Sequence, residues 1–260
     1  MFNCFTCKKK GNLAEMVSEL GSLSHRDLSH VSNRVMGDEL PEQFAPWDAK
    51  PLRRVPVFSP MDLEDYTSTF LPVDRFSSAR AYLASRNIGK RVSRLLDLRF
   101  DEVECRVVFK VTYDGELVGL TGRAINFTTK PKIKNYPGFS PHSFLLGEEC
   151  MVHGSSTAYP IVLVEGQFDL ARFHQNRGHE YADCLSIMGS TLHPLQLDRL
   201  LSFDRPIVFM LDNDEAGREG LNKAVRSLRG RVEHWLAEYP KGITQPDEMS
   251  SSVMRRAILR

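Results

Sequence analysis

Two apolar runs in this chain end on carboxylates, and that placement restricts the fold more than any other feature. Ile161-Val162-Leu163-Val164 runs into Glu165-Gly166, and Pro206-Ile207-Val208-Phe209-Met210-Leu211 runs into Asp212-Asn213-Asp214. Short apolar runs, each followed by a helical pattern, read as buried strands of a parallel sheet. In such a sheet the residues at the carboxyl ends of the strands face one shared crevice. Gly166 allows a sharp turn after Glu165, and Asp169, one helical turn on, leans towards the same crevice. Asp212 and Asp214 are two apart, so in extended backbone they face the same side. Gly217 lets the following helix pack close to the sheet. Crowded carboxylates repel and favour a divalent cation between them. Hard oxygen donors of this kind suit a magnesium-type ion, which takes its remaining ligands from water and substrate phosphates. Glu165 either completes that site or moves a proton. ExxxD or DxD alone is weak evidence, because acids also cap helix N-termini; their occurrence together at two strand ends is far more specific.

The surrounding pattern extends this reading. Strands are predicted at 161–164, 184–188, 206–211 and 231–236, with helices near 167–176, 193–201 and 215–228. The last helix has Leu221, Ala224, Val225 and Leu228 on one face. Alternation of this kind implies right-handed crossovers in a parallel sheet. The chain contains neither a Walker P-loop nor GxGxxG, so an ATPase motor and a Rossmann dinucleotide site are not indicated. Upstream, Ala79, Tyr82, Leu83 and Arg86 predict a helix that stops at Asn87-Ile88-Gly89. Runs 106–111 and 116–120 flank Tyr113-Asp114-Gly115, a hairpin signal. Five prolines between 37 and 60 mark an extended linker. The expected organisation is a segment at 1–36, a linker at 37–60, a basic subdomain at 61–158, a metal-binding domain at 159–250 and a tail at 251–260.

The net charge of +1 argues for no partner by itself. Its distribution does: residues 121–136 hold Arg123, Lys130, Lys132 and Lys134 and no acid. No apolar run approaches the ~20 residues of a membrane helix, so no membrane partner is expected. The N-terminus lacks the apolar core of a signal peptide, and a cytoplasmic, reducing setting is expected. The five cysteines then read as one metal pair, Cys4 and Cys7, plus three ordinary thiols, Cys105, Cys150 and Cys184.

Val164-Glu165-Gly166-x-x-Asp169, Gly189-Ser190 and Leu211-Asp212-Asn213-Asp214-x-Ala216-Gly217 together resemble a Toprim domain. Arg106-Val107-Val108-Phe109, Gly119-Leu120-Thr121-Gly122-Arg123 and Pro131-Lys132-Ile133-Lys134-Asn135 resemble the basic subdomain of DnaG-type primases of bacteria and phages. Tyr82-Leu83-x-x-Arg86-x-Ile88 is similar to the helix that opens their catalytic core. The ordered match runs over roughly residues 60–250. The fold this resemblance implies is α/β: a Toprim domain with a Rossmann-like, mostly parallel sheet, preceded by a mixed α+β basic subdomain and a small partial zinc-ribbon segment. The implied function is synthesis of short RNA primers from ribonucleoside triphosphates on a single-stranded DNA template, by nucleotidyl transfer at a two-metal Mg²⁺ or Mn²⁺ site. Glu165, Asp212 and Asp214 would be catalytic, with Asp169 and Asp247 as further metal ligands. Arg106, Arg123, Lys132 and Lys134 would bind nucleotide or template phosphates. Family lysines just beyond them have no clear counterpart here, and His142 lies near that place. The family pattern also has an acid on each side of Pro246, where this chain has Gln245 and Asp247.

Phe2-Asn3-Cys4-Phe5-Thr6-Cys7 resembles the second knuckle of the primase zinc ribbon, and structural Zn²⁺ wants four ligands. Several readings stay open. The chain is a fragment or uses an alternative start; a separate polypeptide supplies the first knuckle; His25 and His30 complete a Cys2His2 site; or the two thiols hold no metal. A separate replicative helicase is the further partner expected. Two other functions compete with primer synthesis: a Toprim-type nuclease, and a catalytically incomplete split primase subunit that binds DNA or helicase.

Overall fold

The computed structural model describes residues 2–3, 10–11, 68–212, 224–226, 228 and 230–259. The chain divides into two units, residues 1–53 and 54–260. In the first, strands β1 (Phe2–Asn3) and β2 (Lys10–Gly11) pair antiparallel, with Phe2 opposite Gly11. Cys4, Cys7, His25, His30 and the proline-rich stretch lie outside the described residues, as do Asp214 and Gly217.

The second unit begins with an antiparallel sheet in the order β3-β4-β5-β6-β7. Its elements are β3 (Leu71–Pro72), α1 (Ser77–Ser85), α2 (Lys90–Leu95), β4 (Arg99–Asp101), β5 (Arg106–Tyr113), β6 (Glu116–Ala124) and β7 (Ile133–Asn135). Helix α1 gives way to Asn87 at φ 55°, as its sequence suggests. The β5–β6 hairpin turns on Asp114 and Gly115, both at positive φ (50° and 82°), the conformation of a type I′ turn. Cross-strand partners share a face, so register separates two sets of side chains. Val107 pairs with Arg123, which pairs with Ile133; Val108 pairs with Gly122, which pairs with Lys134. At Gly119 a Cβ would lie 2.0 Å from the Phe139 ring, so only glycine leaves room for that ring against β6.

The remainder forms a four-stranded sheet in the order β11-β10-β8-β9, parallel throughout. The chain runs β8 (Ile161–Val164), α3 (Gln167–Gln175), β9 (Asp183–Ser186), α4 (Pro194–Ser202), β10 (Ile207–Phe209) and β11 (His234–Leu236). The strands fall where expected but are shorter at three places. Beyond β9, Ile187 N still donates to the Val164 carbonyl but the backbone bends away at Met188 (φ 55°), and ahead of β11, Gly230 and Arg231 form a turn. Of the helix expected at 215–228, positions 224–226 and 228 are described, and all are helical. The segment expected as a tail contains a helix, α5 (Ser251–Ile258). It buries Met254, Ala257 and Ile258, and the Ile258 carbonyl accepts from Trp235 Nε1 at 2.9 Å.

Packing explains how these sheets set up a site. Strand β8 alternates its side chains between two cores. Val162 and Val164 join a cluster with Val107, Phe109 and Phe168; Ile161 and Leu163 join one with Leu185, Leu200 and Phe209. Helix α3 is buried on most sides because it is held between both sheets. Its Phe168 ring meets Phe109 and Tyr82 edge-on, at 5.5 and 5.7 Å between centroids. Its buried Gln167 donates Nε2–H to Thr121 Oγ1 at 3.1 Å. The expected boundary at 158/159 is thus a change of sheet but not a break in the core. Truncating Phe168 to alanine would cost roughly 3–5 kcal/mol.

Candidate functional site

The acids come from strand ends. Glu165 follows β8 directly, and Asp212 stands three residues beyond β10. Asp212 N donates to Glu165 Oε1 at 3.1 Å, so the two strand ends are joined through a catalytic candidate. The Glu165 carbonyl in turn accepts from Ser186 Oγ at 2.9 Å and Gly189 N at 3.2 Å. Tyr239 donates its hydroxyl to the Leu211 carbonyl at 2.8 Å, fixing the backbone just ahead of Asp212. Gly166 N donates to Asp169 Oδ2 at 2.9 Å, so Asp169 caps α3. A Cβ on Gly166 would approach that oxygen to 2.8 Å, which makes glycine the residue that leaves the carboxylate in place.

These acids form one side of a cleft of about 280 Å³, lined by Glu165, Asp169, Asp212 and Asp247. Their mutual repulsion is visible in Asp169. Burial first, then the charges of Asp212 and Asp247 with a smaller part from Glu165, push its carboxyl up to about 7, against the opposing Gly166 N–H. Burial, then the charges of Asp169, Asp212 and Glu165, also raise the Tyr239 hydroxyl. Among the described residues no three His, Cys, Asp or Glu side chains converge closely enough to hold a metal by themselves; Asp214 lies outside them. The donor set nevertheless fits a hard cation: it is all oxygen, and crowded enough that neighbouring carboxylates help raise the Asp169 carboxyl.

The opposite side is cationic. Arg86, Arg123 and Lys132 line the same cleft. Lys132 is held below the usual lysine range, mainly by Arg123, then by burial, Arg86 and Lys130. Cations that crowd one another in this way suit an anion placed between them. Arg86 also reaches across: its Nη1 meets Asp247 Oδ2 at 3.1 Å, while the guanidinium lies 5.4 Å from the Phe168 ring centroid. Gln245 lines the cleft beside Asp247, placing a neutral amide there.

The other two basic candidates stand elsewhere. Arg106 is 1 % exposed; it donates to Glu104 Oε2 at 3.0 Å and to the Pro131 carbonyl at 2.8 Å. Lys134 pairs with the second oxygen of Glu104 and lies against the Tyr136 ring. Chiefly the Lys134 ammonium, with Arg106 adding to it against burial, holds the Glu104 carboxyl below the usual range. Both cations are on the sheet face that carries Gly122 and Tyr136, away from the cleft, because the pleat sends alternate residues to opposite sides. The His142 and His193 rings meet at a tilt of 38°, with 4.0 Å between ring centroids.

Sequence reasoning left several positioning groups out of the candidate set. Arg86 belongs to the helix motif at 82–88, which by itself implies no role for it in the cleft. Arg172 donates to the carbonyls of Asp247, Asn87 and Met249, at 3.0, 3.1 and 3.2 Å, and so holds the 247–249 segment against α3. Gln167, Ser186 and Tyr239 carry no motif signal: their partners are backbone groups or side chains distant in sequence.

Residues 162–250 match a family described as Toprim-like. A curated DNA primase of Aquifex aeolicus (strain VF5) is 30% identical over 178 residues, covering 65% of this chain and 33% of its own length. The crystal structure of Aquifex aeolicus primase, with its zinc-binding and RNA polymerase domains, gives a TM-score of 0.62 at 24% identity over 98% of this chain and 72% of that one. A DnaG primase catalytic domain bound to single-stranded DNA gives 0.57 at 20% identity over 72% and 73%. The chain spans less than half the length of the curated relatives it matches. The acid-bearing half is therefore a Toprim-like domain. With the antiparallel sheet ahead of it, the chain has the fold of a DnaG-type primase catalytic core, the fold its spaced motifs imply.

Proposed function

We propose that this chain is a DNA primase that makes short RNA primers from ribonucleoside triphosphates on single-stranded DNA. The observation that carries this reading is the opposition of four carboxylates and three cations across one cleft. A triphosphate needs both: cations for its oxygens and acids to hold the ions that accompany it. Glu165, Asp169, Asp212 and Asp247, with Asp214, are the proposed ligands. Bound there, two Mg²⁺ or Mn²⁺ ions would activate the primer 3′-hydroxyl and neutralise the leaving pyrophosphate. Glu165 holds Asp212 through its backbone N–H, so the two ligand-bearing strands present their oxygens in fixed relation. Arg123 and Lys132 bind triphosphate or template phosphates, and Arg86 adds a third cation beside Asp247. Arg106 and Lys134 act instead through Glu104 to hold the base of the β6–β7 loop.

Cys4 and Cys7 are proposed to bind Zn²⁺ with ligands from a separate polypeptide or another part of the protein. The pairing of β1 with β2, which brackets positions 4–9, supports a knuckle. A replicative helicase is the further proposed partner. No described helix is long and apolar enough to cross a membrane. The test is incubation with a single-stranded template, labelled ribonucleotides and Mg²⁺ or Mn²⁺. Short RNA products support the reading. Degradation of the DNA would indicate a Toprim-type nuclease, and binding without either product an incomplete subunit.

A further inference from the structure

The loop between β6 and β7 holds a large apolar side chain almost wholly in solvent: Phe127 is 98 % exposed. The loop around it is well tied. Asn126 Oδ1 accepts from Thr129 N at 2.8 Å and from Thr128 Oγ1 at 3.2 Å, closing a turn at the Phe127 position. Its base is anchored where Ala124 N donates to the Lys132 carbonyl at 3.0 Å, Ile125 N to the Cys105 carbonyl at 3.0 Å, and Arg106 to the Pro131 carbonyl. A single exposed apolar residue is common and means little by itself. This one sits within a basic, acid-free stretch, 121–136, that includes Arg123, Lys130, Lys132 and Lys134. The loop also leaves and re-enters the rim of the acidic cleft at Arg123 and Lys132. An acidic or apolar protein surface would leave one half of this combination unused; a single strand of nucleic acid uses both, with phosphates on the cations and a base against the ring.

We infer that Phe127 is a stacking platform for an unpaired base of single-stranded DNA, next to the cleft. It stands four positions along the chain from Arg123, at most ~14 Å of chain. That is the reach of about four nucleotides at the 3.4 Å spacing of a stacked strand. Phe127 would therefore hold the template a few nucleotides from the phosphates bound at Arg123 and Lys132, without selecting a sequence, because every base offers a π-face.

The inference takes its ligand from the primase reading, and the two fail separately. The full chain and its Phe127→Ala and Phe127→Trp variants are titrated against a dye-labelled oligonucleotide and an abasic version of it. Binding is followed by anisotropy at several salt concentrations, and primer synthesis is assayed in parallel. Phe127→Ala should bind the intact strand about 10-fold more weakly, and Phe127→Trp within about 2-fold of the parent. The parent should lose that same factor on the abasic strand, and Phe127→Ala should not distinguish the two. The salt dependence should be unchanged in Phe127→Ala, because no phosphate contact is lost. Unaltered affinity in Phe127→Ala, or an equal loss on both strands, overturns the inference even if primers are made. Base-dependent binding without primers leaves it standing and removes the primase reading.

Discussion

Arg123 and Lys134 lie on neighbouring strands of one sheet, a single residue out of register, and the pleat turns them to opposite sides. Arg123 shares a face with Val107 and Ile133 and lines the acidic cleft. Lys134 shares a face with Gly122 and Tyr136 and is bound to Glu104, together with the buried Arg106. A uniformly basic stretch of sequence is thus two devices. One leaves its charge available to a ligand; the other neutralises its charge internally and serves to position a loop.

Substitutions can test that division, starting at the cleft. Asp212→Asn should reduce primer synthesis about 1,000-fold, the loss of several kcal/mol of ion-mediated stabilisation, with the circular dichroism spectrum and single-strand affinity unchanged. Full activity would remove the acid assignment. Arg123→Ala should weaken nucleotide or template binding about 10-fold and reduce the salt slope by about 1, leaving the melting temperature in place. Arg106→Ala should do the reverse, costing roughly 2–3 kcal/mol in chemical denaturation with the salt slope preserved. If Arg106→Ala instead lost phosphate binding while keeping its stability, the two faces would not be functionally distinct. Lys134→Ala, on a part-exposed pair, should cost under about 1 kcal/mol and change affinity little.

Asp169 gives the comparison a pH axis. Its carboxyl is raised from the ordinary 3.8 to about 7 in the folded chain, so over that interval the folded state holds more protons than the unfolded one. The stability this contributes is complete below about pH 4 and is lost as pH rises through about 7. In EDTA, the melting temperature should fall over this range relative to Asp169→Asn, whose amide oxygen can still accept from Gly166 N–H. Mg²⁺ should offset much of the fall at pH 8, because a cation removes the repulsion that raises the carboxyl. A difference curve between the two proteins that is flat with pH would show that Asp169 does not carry this strain.

How far the site was readable from sequence follows the same line. Glu165 and Asp212 were legible because strand ends in a parallel sheet converge by topology, and apolar runs reveal strand ends. The β5–β6 hairpin was legible because Asp114-Gly115 is a local signal. Whether Arg106 faces the cleft depends on sheet register and on Glu104, neither of which a basic motif records. Arg172 was invisible for a similar reason: its three acceptors are backbone carbonyls of residues 87, 247 and 249. The expected tail could not be recognised as the cover for Trp235 until the edge strand beside it was placed.

Gln167 and Phe168 tie one helix to the antiparallel sheet through Thr121 and Phe109, while Phe168 shares a core with Val162 and Val164 of the parallel one. The chain is therefore a poor source of interchangeable parts. A chimera that joined this Toprim-like half to the basic half of a relative at residue 158 would keep every acid and every cation, yet it would mismatch the side chains that set the spacing between them. Such hybrids should recover function only when positions 109, 121, 167 and 168 are exchanged as a group, and sequence change in this lineage should show the same linkage.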